Sequence, residues 1–197
     1  ESGAADALHL SDAELAVANS LAAVEAGASQ IQGTINGYGE RCGNANLCSI
    51  IPDLKLKMGI SCISNANLSK LAETARFVAG VANMTLDRHL PYVGDSAFVH
   101  KGGLHVSGLM KCSASYHHVA PSLVGNVHRV VVSELSGKGN ILYKAKELGI
   151  NLSPKGEETR RVLDQVKLME SRGFQYEDAD ASFELLLRRA QSGYKPP

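Results

Sequence analysis

The segment from Gly33 to Asn44 concentrates more residues capable of chemistry than any other part of the chain. Its sequence, GTINGYGERCGN, places four glycines around the adjacent acid and base Glu40-Arg41. Glycine lacks a Cβ, so such a segment can turn with positive φ and approach a ligand closely. Glu40 and Arg41 could position a carboxylate substrate or a metal. They could equally form a surface ion pair of little energetic value, and their spacing leaves both readings open. We call Gly33–Asn44 the glycine loop.

Two further groups of residues could transfer protons. The first is FVHKGGLH, in which His100, Lys101 and His105 flank a Gly-Gly turn and could supply a general base. Its HxxxxH spacing does not put both imidazoles on one helical face, so no two-histidine metal site is predicted there. The second is Tyr116-His117-His118. In both groups the alternative is that the histidines are solvated surface residues, beside a half-buried tyrosine in the second.

The elements before and around the glycine loop predict an α/β fold. A strand is expected over residues 5–10, a helix capped by Ser11 or Asp12 and running to about Ala26, and a strand over 28–34. The helix face is predicted from the apolar residues Leu15, Ala18, Leu21, Ala22 and Ala26. A second helix should begin near Asn44 or Asn46. Alternating strands and helices indicate βα units with a parallel sheet, and enzymes of this class bind ligands in loops at the strands' carboxyl ends.

The remainder of the chain, residues 59–197, is predicted to be mainly helical. Helices are expected over 67–82, 138–148, 157–171 and 179–191, with a short one near 105–111 and a strand over 127–132. Two βα units cannot close a sheet. Either the first half of that domain is missing from the chain or a partner supplies it.

Composition excludes several classes of function. Lys and Arg together equal Asp and Glu at 20 each, so no basic field for nucleic acid is present, and no apolar run is long enough to span a membrane. The four cysteines fit no zinc-binding spacing, which favours reduced thiols in a cytoplasmic protein.

Several stretches resemble the isopropylmalate, homocitrate and citramalate synthase family. They are residues 15–20, the glycine loop, the sequence PYVG at 91–94, HKGGLH at 100–105, and SELSGKGNILYKAKELGI from Ser133. The last stretch, with GFQYEDADASFELLLRRAQSGYKPP from Gly173, is most similar to the family's citramalate branch. The resemblance covers nearly the whole chain.

The resemblance implies a fold and an activity. Residues 1–58 would be the last two βα units of a TIM (β/α)₈ barrel, and residues 59–197 helical linker subdomains, with the regulatory domain absent. The family condenses acetyl-CoA with a 2-oxo acid, which is pyruvate in the citramalate branch on a route to isoleucine. A divalent metal (Mg²⁺, Mn²⁺ or Zn²⁺) polarises the keto oxygen, and a base removes a methyl proton from acetyl-CoA. Such enzymes are homodimers.

The resemblance also assigns roles to particular residues. Asn44 matches a metal-associated asparagine. His105 matches a catalytic histidine that reaches into the partner subunit's barrel, and Tyr116 matches a tyrosine near it and is also a catalytic candidate. Glu40 lies in the loop beside the metal and is a further catalytic candidate. The expected substrate and loop residues are Thr34, Asn36, Gly39 and Arg41.

The chain departs from the family at the metal. The family's two metal-binding histidines fall on Leu8 and Leu10, with His9 in the spacer between them, and the first barrel strand with its metal-binding aspartate is absent. One neutral asparagine cannot hold a catalytic cation. We therefore expect this polypeptide alone to bind no metal tightly and to be inactive. Isopropylmalate synthase, or a non-catalytic interaction module, remains the alternative.

Overall fold

The structure is a computed structural model that describes residues 6–8, 11, 13–100, 102, 105–106, 108, 112, 117–133 and 136–191. The chain forms two compact units. Unit 1 comprises Glu1–Phe98 with Val119–Val127, and unit 2 comprises Val99–His118 with His128–Pro197. The units are not separated at residues 58 and 59, where the sequence predicts a boundary between the barrel part and the linker part. Compact units need not coincide with those two parts, so that boundary stays a prediction.

Unit 1 begins with a parallel βα unit. Strand β1 (Asp6–Leu8) is followed by helix α1 (Ala16–Glu25) and strand β2 (Gln30–Gln32), and the two strands pair in parallel with Leu8 opposite Gln32. A parallel pair requires a crossover connection, which α1 supplies. The predicted α/β character and parallel pairing are therefore confirmed.

Helix α1 differs from its prediction in both start and orientation. It begins at Ala16 rather than after Ser11, because Glu14 adopts a positive φ of 59° that is incompatible with a right-handed helix. Ala16 and Ser20 are buried, whereas Leu15 is 56% exposed. The rest of the predicted face is exposed too, apart from Leu21, which is half-buried. The helix is apolar around much of its circumference, so periodicity alone could not select the side that packs.

The remaining elements of unit 1 are short helices. Helix α2 (Leu47–Pro52) is capped by Asn46, one of the two starts predicted, and the Asn46 side chain accepts a hydrogen bond from Cys48 N. The helix continues as a π-helical turn over Asp53–Lys57. The helix predicted over 67–82 is instead two helices, α3 (Asn65–Leu68) and α4 (Leu71–Val81). A 3₁₀ turn at Pro121–Val124 completes the unit.

Two apolar clusters stabilise unit 1. One packs α1 against α2 through Ala16, Ile50 and Leu54. The other joins α3 and α4 to the chain around Tyr92 and Val124, and its buried members are Cys48, Leu68, Leu71, Ala72, Ala75, Tyr92, Val93, Phe98 and Val124. Because residues 119–127 contribute to this second cluster, they belong to unit 1 although they lie far along the sequence.

In the part of the chain that the structure describes, unit 2 combines a two-stranded parallel sheet with three helices, besides helical residues at His105 and Val106. Strand β3 (Val99–His100) pairs with β4 (Arg129–Val130), which covers only part of the strand predicted over 127–132. Helices α5 (Lys138–Glu147), α6 (Glu157–Ser171) and α7 (Asp180–Ala190) confirm the three helices predicted for this region. They enclose a core of Val132, Ile141, Ala145, Ile150, Val162, Val166, Phe183 and Leu187. Of the helices described, none has the length and apolarity to cross a bilayer.

Candidate functional site: the glycine loop and a histidine cluster

The glycine loop folds back on itself directly after β2. Asn44 N donates to Gly37 O at 2.9 Å, and Thr34 N donates to Ala45 O at 3.0 Å. Gly43 has a φ of 90°, and a Cβ at that position would lie 2.2 Å from Gly37 O. Only glycine satisfies both the left-handed backbone and this close approach. The glycine density that singled out this loop is therefore required by its fold.

Asn44 lies at the centre of the folded loop. A Cβ on Gly39 would stand 2.8 Å from the Asn44 carboxamide, so the asparagine side chain covers Gly39. The chain that follows β1 meets the loop at Gly43, whose carbonyl accepts a hydrogen bond of 2.9 Å from Ser11 N. The end of β1 and Asn44 thus occupy the same edge of the parallel pair, the relation expected for ligand-binding loops in α/β folds.

Two of the predicted substrate residues already have partners within unit 1. The Thr34 hydroxyl donates to Tyr38 O at 2.6 Å, and Asn36 Nδ2 donates to Ala75 O at 2.8 Å. Asn36 Oδ1 accepts from Cys48 Sγ at 3.5 Å, so both ends of its amide are engaged. These contacts attach the loop to α2 and α4. A role of either side chain in substrate binding stays a prediction.

Glu40 and Arg41 lie at the exposed tip of the loop. Arg41 adopts a φ of 54°, an uncommon conformation for a residue with a side chain. Such conformations persist where the surroundings impose them, and they are frequent at ligand sites. The tip therefore exposes an acidic and a basic residue, and the backbone at Arg41 has a specific, uncommon conformation.

The predicted linker residues are only partly described. His105 is exposed and helical, together with Val106. Tyr116, Leu10, His9 and the Leu8 side chain lie outside the described residues, so their predicted roles stay predictions.

Among the residues that the structure describes, the metal corner implied by the family resemblance offers no ligand set that fits a divalent cation. Asn44 supplies one neutral amide oxygen, and the sequence places leucine at both positions where imidazoles are expected. Hard cations need several oxygen ligands and zinc-type cations need nitrogen or sulfur. No chemical step is therefore assigned to a metal at this corner.

Unit 2 contains a second group of chemically competent side chains, which the sequence did not predict as a group. His100 ends β3, His128 directly precedes β4, and His117 comes from the segment between them. Their potential ligand nitrogens all lie within 4.8 Å of one another. We call these three residues the histidine cluster. His105 lies beside it, with its ring centroid 5.9 Å from that of His100.

Burial lowers the pKa values of all three histidines in the cluster. Burial, with the charges of His117, His128 and His105, lowers the pKa of His100 to about 4. Burial also lowers the pKa of His117, assisted by His118. The pKa of His128 is lowered by burial and by His117, against an opposing effect of Glu147. At neutral pH the three rings therefore present lone pairs.

The cluster was missed because its members lie in three separate segments. His100 was predicted with Lys101 and His105, and His117 with Tyr116 and His118, while His128 was read only as part of a strand. The parallel register Val99↔Arg129 and His100↔Val130 brings His100 and His128 together, and His117 joins them from the segment between the strands. Pairing between residues about thirty positions apart has no local signal in one sequence.

The PYVG motif serves to connect parts of unit 1. Tyr92 adopts a φ of 66°, and its hydroxyl donates to Asp53 Oδ1 at 2.5 Å. Burial and this hydrogen bond to the carboxylate raise the pKa of the Tyr92 phenol. Asn126 Nδ2 donates to Tyr92 O at 2.9 Å and to Gly94 O at 3.0 Å. The motif thereby links the π-helical turn to the returning segment 119–127.

Two known protein families match successive stretches of the chain. Residues 7–78 match the HMGL-like family profile, and residues 92–173 match the profile of the homocitrate synthase post-HMGL domain. The chain therefore carries an HMGL-like region followed by a homocitrate synthase post-HMGL region. This confirms the family predicted from the sequence.

Individual relatives show which members of the family the chain is similar to. The chain is 56% identical to an (R)-citramalate synthase of Geobacter sulfurreducens over 91% of its length, and 54% identical to that of Aquifex aeolicus over 90%. A 2-isopropylmalate synthase of Rhodopirellula baltica is 36% identical over 86%. These alignments span 34%, 34% and 32% of the respective relatives, so the chain covers about a third of their length. Its homologues at high identity are (R)-citramalate synthases.

Proposed function

We propose that this chain forms part of an acyltransferase that condenses acetyl-CoA with pyruvate to give citramalate and CoA, in isoleucine biosynthesis. The observation that carries the proposal is the identity of 54–56% with two (R)-citramalate synthases over nine-tenths of the chain. At that identity the fold and the general chemistry of a site are usually retained. The function must still be argued from the site itself.

The parallel pair β1–β2 would be the last two strands of a TIM barrel, with the glycine loop at their carboxyl ends. The loop's position after β2 and its contact with the end of β1 support this placement. Glu40 and Arg41 would hold the acyl acceptor at the exposed tip, and Thr34, Asn36 and Gly39 would maintain the loop's shape. Their internal hydrogen bonds and close packing favour this positioning role.

His105 would transfer a proton during enolisation of the acetyl group, with Tyr116 beside it. An exposed imidazole on a helical turn is accessible to a substrate or to a second subunit. We further propose a homodimer in the cytoplasm, in which the segment carrying His105 completes the partner's site. Such an arrangement would explain why the residues assigned to proton transfer lie in unit 2 and the acceptor residues in unit 1.

The chain on its own would be inactive, because Leu8 and Leu10 replace the nitrogen donors that the reaction's metal requires. Isothermal titration of Mn²⁺ or Mg²⁺ into the chain and into an Asn44→Ala variant tests this directly. Binding with micromolar affinity that the variant loses would contradict it.

Two chimeras based on the Geobacter sulfurreducens enzyme test the activity. The first replaces the whole matched third by this chain, and the second replaces only the part that matches residues 13–191, retaining the host's own residues before it. We expect the second chimera to release CoA with pyruvate and the first to be inactive. A folded but inactive second chimera would overturn the synthase proposal. Equal activity of both would overturn the role given to Leu8 and Leu10.

The same assay also distinguishes two other candidate functions. The relative from Rhodopirellula baltica makes a 2-isopropylmalate synthase the second candidate, and preference of the second chimera for 2-oxoisovalerate over pyruvate would favour it. A non-catalytic interaction module is favoured by the leucines at the metal positions. That function predicts that neither chimera turns over either acid, while the chain still binds a full-length synthase.

A further inference from the structure

We propose that the histidine cluster, His100 with His117 and His128, binds one divalent transition-metal cation of the zinc type. This site belongs to unit 2 and shares no residue with the metal corner that the family resemblance places at Asn44. It does not depend on the proposed synthase activity, and its occupation would overturn the expectation from the sequence that the chain alone binds no metal tightly.

The arrangement of the three rings carries the inference. All three residues are half-buried, and their ring centroids lie 5.0 Å (His100–His117), 5.6 Å (His100–His128) and 4.9 Å (His117–His128) apart. Candidate ligand nitrogens fall within 4.8 Å of one another. Nitrogen ligands at 2.0–2.1 Å from a tetrahedral zinc ion are separated by about 3.4 Å. Binding therefore requires the ligand nitrogens to move closer together, and we propose that rotation of the side chains supplies this movement.

The backbone supports two of the ligands. His100 ends β3 and His128 directly precedes β4, and the two strands pair with His100 opposite Val130. Val131 N also donates to His100 O at 3.2 Å. His100 lies on a paired strand, and a ligand so placed is held more precisely than one on a loop.

His128 has the environment of an oriented ligand. Its Nδ1 lies 3.2 Å from the hydroxyl of Tyr143 on α5, a contact that fixes the ring. Its Nε2 is buried, and no polar atom of the described residues hydrogen bonds to it. Metal-binding histidines characteristically engage the second ring nitrogen in such an outer contact. Burial of the other nitrogen without a partner costs free energy that a cation would recover.

The donor set selects the kind of cation. Three imidazoles without a carboxylate suit Zn²⁺, Co²⁺, Ni²⁺ or Cu²⁺ and not Mg²⁺ or Ca²⁺. Three protein ligands leave a fourth tetrahedral position for water or another small ligand. Because the His105 ring lies beside His100, an occupied site would also constrain the segment around His105.

Titration of Zn²⁺ into the 197-residue chain by calorimetry tests the site. We expect one ion per chain with micromolar or tighter affinity, and no heat with Mg²⁺. His100→Gln, His117→Gln and His128→Gln should each weaken binding about tenfold or more. The matched control is His89→Gln, because His89 is exposed in unit 1 and should bind as the unaltered chain does. Absence of Zn²⁺ binding, or equal affinity in all four variants, would overturn the proposal.

Further measurements separate the loss of a ligand from unfolding, and imidazole ligation from thiolate ligation. Circular dichroism of each variant establishes folding, and Tyr143→Phe keeps all three ligands but should weaken Zn²⁺ binding several-fold by releasing the His128 ring. Co²⁺ substitution reports the donor atoms, because the chain also has four cysteines. Visible d–d bands without an intense near-ultraviolet thiolate band support imidazole ligation. A thiolate band would overturn the histidine site.

Discussion

The glycine loop of unit 1 and the histidine cluster of unit 2 use polar residues in opposite ways. In the loop, side chains bond to backbone groups of the loop itself and of α4, as in the contacts from Thr34 to Tyr38 and from Asn36 to Ala75. In the cluster, three imidazoles converge under burial that lowers their pKa values. The polar groups of the loop thus mainly maintain its conformation, and few of its side chains remain for chemistry. The cluster is a set of donors whose shape depends on strand pairing.

The comparison is tested most strongly at the loop's close backbone contact. Gly43→Ala introduces a Cβ 2.2 Å from Gly37 O at a φ of 90°, whereas Gly27→Ala introduces one at a φ of 106° with no atom within 4 Å. We expect Gly43→Ala to lower the free energy of unfolding by about 3 kcal/mol or more, and Gly27→Ala by about 1 kcal/mol, which is backbone strain alone. Urea denaturation measures both. Equal losses would mean that the loop does not need the close approach.

A pair of buried asparagines compares the hydrogen bonding of the two units. Asn126 donates to two carbonyls in unit 1, and Asn140 donates to Val131 O at 3.2 Å in unit 2. We expect Asn126→Ala to cost about 3 kcal/mol, because the carbonyls of Tyr92 and Gly94 lose a donor, and Asn140→Ala about 2 kcal/mol, because the buried carbonyl of Val131 loses one. Thermal and urea unfolding provide the values. A larger loss for Asn140→Ala would reverse the comparison.

Acid should destabilise the cluster more than the loop. The pKa of His100 is about 4 in the folded chain and about 6.5 when unfolded, so between these values the unfolded chain binds more protons and stability falls as the pH decreases. The facing groups are His105, His117 and His128, with Glu147 acting oppositely at His128. Allowing for solvent screening, we expect the free energy of unfolding to fall by about 1 kcal/mol between pH 7 and pH 5 because of His100.

His100→Gln is the matched variant for this pH effect. Its unfolding free energy should fall less between pH 7 and pH 5 than that of the unaltered chain, because carboxylates elsewhere titrate identically in both. Parallel pH profiles would show that His100 is solvated and that the cluster is not formed in solution.

The smallest effect is expected on the solvated surface of α6. Arg161 Nη2 lies 3.0 Å from Glu157 Oε2, and both side chains are mostly exposed. Arg161→Gln should change the free energy of unfolding by less than about 0.5 kcal/mol, because exposed pairs gain little in water. A loss above about 1 kcal/mol would mean that this helix face has a partner that the chain's own contacts do not reveal.

Local patterns predicted much of the fold. The helices α5 to α7, the Asn46 cap of α2 and the parallel βα unit were all anticipated, because capping residues, glycine stops and apolar periodicity act over a few residues. The packed face of α1 was not predicted, because alanines and valines occur on all sides of that helix. The break between α3 and α4 was not either, since Asn67 to Leu71 continues the helical pattern.

The sequence by itself determined the family, the α/β beginning and the requirement for a glycine-rich turn at Gly33–Asn44. It also led to the prediction that Leu8 and Leu10 stand where the family resemblance places metal ligands, because a residue's type decides its donor chemistry before any folding. Only the tertiary structure decided that the loop's amides bond inward and that His100, His117 and His128 converge. Those outcomes depend on contacts between residues far apart in the chain, and no local pattern in one sequence encodes such contacts.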